Sequence, residues 1–388
     1  MQVAQLNISP QDRPDPALLR GLMAAPPDLL LLFGDAALLH DAAWLAALRE
    51  TWPTASLAGC STAGQIQGET VHSHGGVLTA VRFEHAQVQV VRVPLNGLEG
   101  SQEAGKALAR ALTAQADTSP RGVIVLAQGV NINGSCLIDG LQSGLPPQVV
   151  VAGGLAGDDG AFARTWVLSD EGPSAEHVVG IGLYGDQLCF GQAAYGGWKP
   201  FGMARRATRV EGSRLYELDG EPALELYRRY LGDHAKDLPA SGLLFPFEVL
   251  DEQLQPTGLV RTILGIDADS GSLTLAGDLP HHSMLRLMYA STDALVDGAQ
   301  TAAEHVHQAL PAPAELALLV SCVGRKLVMG ERVEEELEAV KGSLGAHAAL
   351  MGFYSYGEIA PLGHDQASIC SLNNQTMTIL GLCERSAS

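Results

Sequence analysis

The sequence predicts a layered α+β protein: mixed and antiparallel sheets covered by helices, in two related halves built from repeated strand–helix–strand units. Two observations predict this class. Three times along the chain, a buried apolar strand is followed by a helix-like stretch, a second strand and a glycine-bracketed loop. Between these units run short apolar segments with the alternation of half-buried antiparallel strands. A supersecondary unit recurring in one chain suggests internal duplication, and the irregular period argues against a solenoid.

The elements follow in order. Met1 to Pro16 is polar and proline-containing; with the amphipathic fragment Ala17 to Met23 it reads as a lead-in, residues 1–26. The first unit takes strand Leu29–Asp35, helix Leu38–Glu50, strand Ala55–Ala58 and the loop Gly59-Cys60-Ser61-Thr62-Ala63-Gly64. The second takes strand Gly122–Ala127, helix Ser135–Leu141, strand Val149–Ala152 and the loop Gly153 to Asp158. Asn133 or Ser135 suits the helix N-cap there, where free first-turn amides can meet an anionic ligand. Further strands are expected at 76–83, 88–93, 165–168, 178–184 and 188–194.

Arg205 to Val210 alternates with its basic side chains outward. Glu221-Pro222-Ala223 opens a helix to Tyr230, with proline in the first turn and Gly232 as the C-cap. Ile266 to Leu273 carries a hairpin signal. Strand Leu285–Ala290 and helix Ala294–Leu310 precede the third unit. That unit has strand Leu316–Val320, helix Glu331–Lys341, and a strand from Ala348 into Gly352-Phe353-Tyr354-Ser355-Tyr356-Gly357-Glu358. Strand Thr376–Leu382 follows. A boundary between Gly197 and Gly220 divides residues 27–205 from 206–388.

Composition narrows function. Hydrophobic residues make up 46% of 388, enough for a large core. A formal net charge of -19 argues against nucleic acid or an anionic membrane as partner, since both select basic surface. No stretch reads as a signal peptide or a membrane span, and six scattered cysteines without a CxxC pair suit a reducing cytoplasm.

Candidate ligand-binding residues collect at the ends of the repeated strands. Arg325, Tyr354, Tyr356 and Glu358 are expected to line one pocket with Asn374 nearby. The guanidinium would hold a carboxylate bidentately and the glutamate an amine. Ser61 and Thr62, between two glycines, can donate to a bound group or satisfy turn amides. Cys322, close to Arg325, either packs or acts as a nucleophile. No GxSxG, Walker or HExxH pattern occurs, so the hydrolase elbow, the phosphate loop and the zinc protease site are absent. Among twelve histidines, including the pair His281-His282, none marks itself as a haem ligand.

Five stretches in order carry a family resemblance. They are Ala58 to Gly64, Ala152 to Asp159, Leu215 to Ala223, Ser321-Cys322-Val323-Gly324-Arg325 and Gly352 to Glu358. Together they resemble the FIST family of sensory proteins, with paired N-terminal and C-terminal FIST regions, from about Leu29 to Glu384. The resemblance implies a cytoplasmic sensor in bacterial signal transduction, not an enzyme, that binds a small molecule such as an amino acid. With no fused output recognisable, the signal would pass to a separate protein such as a histidine kinase or chemotaxis-type receptor. Stand-alone members that sense nitric oxide through haem supply one alternative. An enzyme with Cys322 as nucleophile supplies the other.

Overall fold

The computed structural model describes residues 1–114, 119–280, 282–361 and 370–385. Its elements fall into three units of the same order: strand, helix, strand, helix, strand, hairpin, strand. Unit 1 comprises β1 (Gln2–Ile8), α1 (Pro16–Leu22), β2 (Leu29–Gly34), α2 (Ala36–Leu39) with α3 (Ala42–Thr51), and β3 (Ser56–Ser61). Its hairpin β4 (Gln65–Gln67) and β5 (Thr70–His72) precedes β6 (Gly76–Arg82). Unit 2 repeats the order with β7 (Gln87–Pro94), α4 (Ser101–Ala114), β8 (Gly122–Ala127), α5 (Gly134–Gly144) and β9 (Val150–Leu155). The hairpin β10 (Val167–Ser169) and β11 (Gly172–Ser174) and then β12 (His177–Tyr184) complete it.

Unit 3 opens with β13 (Leu188–Tyr195) and is then interrupted. The inserted layer holds β14 (Lys199–Glu211), β15 (Arg214–Leu218), β16 (Glu221–Pro222), α6 (Ala223–Leu231) and β17 (Phe247–Leu250). It continues with β18 (Pro256–Arg261), β19 (Ile263–Asp267), β20 (Ser272–Leu275) and β21 (Met284–Tyr289). Unit 3 resumes with α7 (Thr292–Ala309), β22 (Leu316–Cys322), α8 (Val323–Met329), α9 (Glu335–Leu344) and β23 (Ala349–Ser355). The strands β24 (Gly357–Pro361), β25 (Cys370–Asn373) and β26 (Met377–Glu384) close it.

Three of the sheets have one topology. Their strand orders are β1-β6-β2-β3-β10-β11, β7-β12-β8-β9-β24-β25 and β13-β26-β22-β23-β4-β5. In each, the central pair is parallel and joined through helix, as a parallel crossover requires. In each, the outer hairpin comes from another unit. Unit 1 lends β4–β5 to unit 3, unit 2 lends β10–β11 to unit 1, and unit 3 lends β24–β25 to unit 2. This cyclic exchange closes the three units into a ring.

The core follows from the pleat. Alternate residues of the central strands, Leu29, Leu31 and Phe33, Ile124 and Leu126, Leu318 and Val320, meet in one shared cluster enclosed by the three sheets. The opposite faces pack under helices, as with Leu30 and Leu32 against Leu19, Trp44 and Leu48. Strands buried on both faces read as largely apolar runs, as these do. The inserted layer has a core of its own, in which Leu224 and Tyr227 of α6 pack on Phe247 and Leu273. Strand β14 runs along both parts of that layer, pairing first with β21 and then with β15 across an irregular register.

The layered α+β class and the repeated units therefore stand, and the repeat resolves into three units plus one inserted layer. Residues 1–26, expected as a lead-in, instead provide β1 and α1. Alternation in Gln2–Ile8 is hard to see locally because that strand is largely half-buried and pairs on one side only. The boundary expected at residue 205 falls within β14.

Candidate functional site

The glycine-bracketed loops hold equivalent places. Gly59, Gly153 and Gly352 stand in register opposite Leu32, Val125 and Leu319 on the parallel neighbours. The loops beyond them knit together through backbone bonds. Ala63 N donates to Tyr354 O (2.9 Å), Gly157 N to Ser61 O (2.9 Å) and Tyr356 N to Leu155 O (3.2 Å). Each loop contains a glycine at positive φ: Gly64 at 137°, Gly153 at 139° and Gly352 at 156°.

Around this junction the expected ligand residues separate into distinct environments. Arg325 is fully buried and its bonds stay within the chain. Its Nε and Nη2 both donate to Glu336 Oε2 at 3.2 and 2.7 Å, Nη2 also to Leu295 O at 2.9 Å, and Nη1 to Gly196 O. The other Glu336 oxygen accepts from Ser321 Oγ at 3.0 Å and Tyr354 Oη at 2.7 Å. The carboxylate that Arg325 holds is therefore a side chain of α9. Glu336 lies in an acidic run with Glu334, Glu335 and Glu338 that reads as a solvated helix face. Only its position on that face turns it inward.

Glu358 is buried next to this pair. It accepts from Ser355 Oγ (2.8 Å), Thr376 Oγ1 (2.9 Å) and Thr376 N (3.1 Å). Burial pushes its carboxyl up to about 7 against these bonds. Cys322 is buried as well, and burial, with Glu358 nearby, raises its thiol far above the ordinary range. That is the setting of a packed thiol rather than a nucleophile, which needs thiolate character. Ser61 Oγ accepts from Trp166 N (2.9 Å), and Thr62 Oγ1 accepts from Gln65 Nε2 (2.9 Å) and Gly64 N (3.3 Å). Thr62 thus satisfies its own turn, and Ser61 ties its loop to the segment leading into β10. Asn374 Oδ1 accepts from Thr262 N at 3.4 Å, tying the turn after β25 to the inserted layer.

Tyr356, by contrast, lines a cleft. Its hydroxyl donates to Asp158 Oδ1 and accepts from Gly160 N at 2.9 Å, and Phe162 stacks on its ring with centroids 4.0 Å apart. Beyond it, the start of α5 faces the β20–β21 turn of the inserted layer across a cavity of about 70 Å³. Asn133 caps α5 through Oδ1, accepting from Cys136 N at 3.0 Å, while its Nδ2 donates to Asp278 Oδ2 at 3.0 Å. Asp278 Oδ1 and Ser135 Oγ are both buried with no hydrogen-bond partner. Such orphans cost free energy unless something else satisfies them.

Gly277, at φ 118°, allows the close approach here. A Cβ on it would lie 3.2 Å from Arg261 Cζ and 3.3 Å from Ser135 Oγ. Arg261 is buried behind it, donating to Asp278 O (3.0 Å) and Leu372 O (3.1 Å). Burial pulls its guanidinium down to about 10, against the pull of Asp278. The cleft also has an apolar lip, since Leu98 and Leu264 line it while 55% and 36% exposed. The sequence marks Asn133 and Ser135 through capping chemistry. It does not mark Asp278 or Arg261, which lie more than 100 residues further along and meet α5 only in the fold.

A larger cavity, about 460 Å³, flanks the C-terminal half of α5. Gln142, Pro146, Pro361 and Cys370 are among the residues that line it. His281, half of the histidine pair, also lies outside the described residues. Among the described residues, no three His, Cys, Asp or Glu side chains group to hold a metal ion, and no helix is long and apolar enough to cross a membrane.

Fold and cleft together define a class: a ring of three strand–helix–strand units bearing one inserted antiparallel layer, with a polar cleft where layer and ring meet. The chain belongs to the FIST family: the FIST N domain matches residues 28–221 and the FIST C domain residues 223–361. These domains are associated with sensory signal transduction.

The chain is similar to an uncharacterized protein of Mycobacterium tuberculosis, 26% identical over 250 residues, covering 62% of this chain and 64% of that protein. It is similar to one of Mycobacterium bovis, 26% identical over 223 residues, covering 56% and 57%. A Methanocaldococcus jannaschii protein is 25% identical over 198 residues, covering 49% and 38%. The chain thus spans less than two thirds of the length of these relatives. The solved structure of cyanuric acid hydrolase from A. caulinodans aligns with 78% of this chain and 100% of its own at 13% identity. Its TM-score of 0.18 is too low to carry an argument about fold or activity.

Proposed function

We propose that this chain is a sensor for a small amino-acid-like ligand, bound in the cleft between the α5 N-terminus and the inserted layer, and that occupancy is passed to a separate signalling protein. The supporting observation is the buried, partnerless Asp278 Oδ1 in the lining of the cleft that Leu98 and Leu264 border, with a second such atom, Ser135 Oγ, beside Gly277 of that lining. Asp278 is an acceptor for an ammonium group. The first-turn amides of α5 suit a carboxylate, and the two leucines suit an apolar side chain. The 70 Å³ cavity holds the charged end of such a molecule and leaves its side chain at the lip.

Calorimetric titration with leucine, glutamate and arginine tests the reading. Leucine should bind best, and Asp278→Asn should weaken it at least thirtyfold, since losing one partner of a desolvated charge pair costs about 2–5 kcal/mol. Failure of all three to bind the parent protein would overturn the reading, and a Soret band on adding haem would replace it with haem-dependent sensing. A partner kinase or receptor must respond reciprocally: a ligand that weakens its binding is itself weakened by the same factor.

A further inference from the structure

We propose that Cys189 and Cys383 form a peroxide-responsive thiol pair that closes to a cross-strand disulfide between β13 and β26. This goes beyond the ligand-sensing reading and does not depend on it. The two cysteines are direct partners in the antiparallel register. Arg385 N donates to Gln187 O at 2.9 Å, which makes 187 and 385 a hydrogen-bonded pair. Antiparallel pairs alternate, so 189 and 383, two residues along, are again a hydrogen-bonded pair with Cα atoms about 5.5 Å apart. A disulfide spans about 4.4–6.8 Å between Cα atoms. Directly opposite side chains share one face of the sheet, so both thiols stand on the same face.

The surroundings assign the roles. Arg385, exposed at the end of β26, donates from Nε to Cys189 Sγ at 3.0 Å. A guanidinium there stabilises negative charge as Cys189 attacks an oxidant. Cys383 lies deeper, and burial raises its thiol, which suits the resolving partner. Cys189 sulfur would attack one oxygen of hydrogen peroxide, breaking the O–O bond, releasing water and leaving a sulfenic acid. Cys383 sulfur would then attack Cys189 Sγ, breaking the S–O bond and releasing a second water as the S–S bond forms. In sum, two thiols and one peroxide become one disulfide and two waters. Cys60, Cys322 and Cys370 are buried with raised thiols and have no cysteine opposite them. Cys136 is half-buried beside Asp278.

Treating the full chain with a small molar excess of hydrogen peroxide, alkylating the remaining thiols and mapping peptides by mass spectrometry tests the proposal. The expected product joins the Cys189 and Cys383 peptides, leaves the other four cysteines alkylated and reverts with dithiothreitol. In Cys383→Ser, a dimedone adduct should accumulate on Cys189. Arg385→Gln should slow disulfide formation several-fold. Six alkylated cysteines after oxidation, or a linkage through any other cysteine or between two chains, would overturn it. Because the decisive readout is made on the unaltered protein, it does not depend on the variants folding.

Discussion

Replacing Gly352 with alanine tests the equivalence of the three units. A Cβ at Gly352 would lie 1.8 Å from the carbonyl oxygen of Leu319 on the parallel neighbour. At Gly59 and Gly153 the corresponding distances are 1.9 Å to Leu32 O and 2.0 Å to Val125 O. Close carbon–oxygen contacts in sheets are about 3.3–3.6 Å, so each substitution must force two hydrogen-bonded strands apart by more than an ångström. Overpacking typically costs about 1–3 kcal/mol and occasionally more. Here the obstacle is backbone in the middle of a sheet, so the cost should reach about 3 kcal/mol or above.

At about 2 °C per kcal/mol, the figure for larger domains, Tm should fall on the order of 6 °C. Gly342→Ala is the contrasting control. It lies exposed in α9 with nothing within 4 Å of its Cβ position, and should stabilise by about 1 kcal/mol through helix propensity. Scanning calorimetry on the four single variants makes the comparison. If Gly59, Gly153 and Gly352 all accept alanine with Tm unchanged, the carbonyl crossing does not reserve these positions for glycine. The physical case for three equivalent strand ends then fails.

Glu336→Gln should destabilise by about 3–5 kcal/mol, because it leaves the Arg325 guanidinium buried without its counter-charge. The double variant Arg325→Met with Glu336→Leu should recover most of the loss. Urea unfolding decides, and a double variant no better than the single would contradict the argument. The carboxyl of Glu358, ordinarily near 4.5, is raised to about 7 by burial, so the folded state holds its proton more tightly. Its contribution is present in full below pH 4.5 and is lost as pH rises towards 7. Glu358→Gln, which stays neutral, should therefore gain stability relative to the parent between pH 5 and 7.5. Parallel stability curves for the two proteins would refute this.

By itself, the sequence determined the repeated units. Leu29–Gly34, Gly122–Ala127 and Leu316–Cys322 are largely apolar runs because they are central strands buried on both faces. Each is followed by a helical period and a strand carrying glycine where a carbonyl crosses. Those are properties of neighbouring residues, and they survive in the linear order. The cap at Asn133, the stop at Gly232 and the 266–273 hairpin are legible for the same reason.

Only the tertiary structure decided the rest. No local pattern states that a hairpin made in one unit completes the sheet of another, because strand pairing depends on which edge is free when the ring closes. The polar residues depend on the same closure. Glu336 is indistinguishable in sequence from its acidic neighbours, and its burial beside Arg325 selects it as a core partner rather than a surface charge. Arg325 and Glu358 read as open recognition groups, yet both are filled from within, by Glu336 and by Ser355 with Thr376. Asp278 reads as a loop aspartate, and the folding of an inserted layer against α5 leaves one of its oxygens buried and unpaired. Periodicity reports which face of an element is apolar, whereas the partner of a buried charge is chosen by segments distant in the chain.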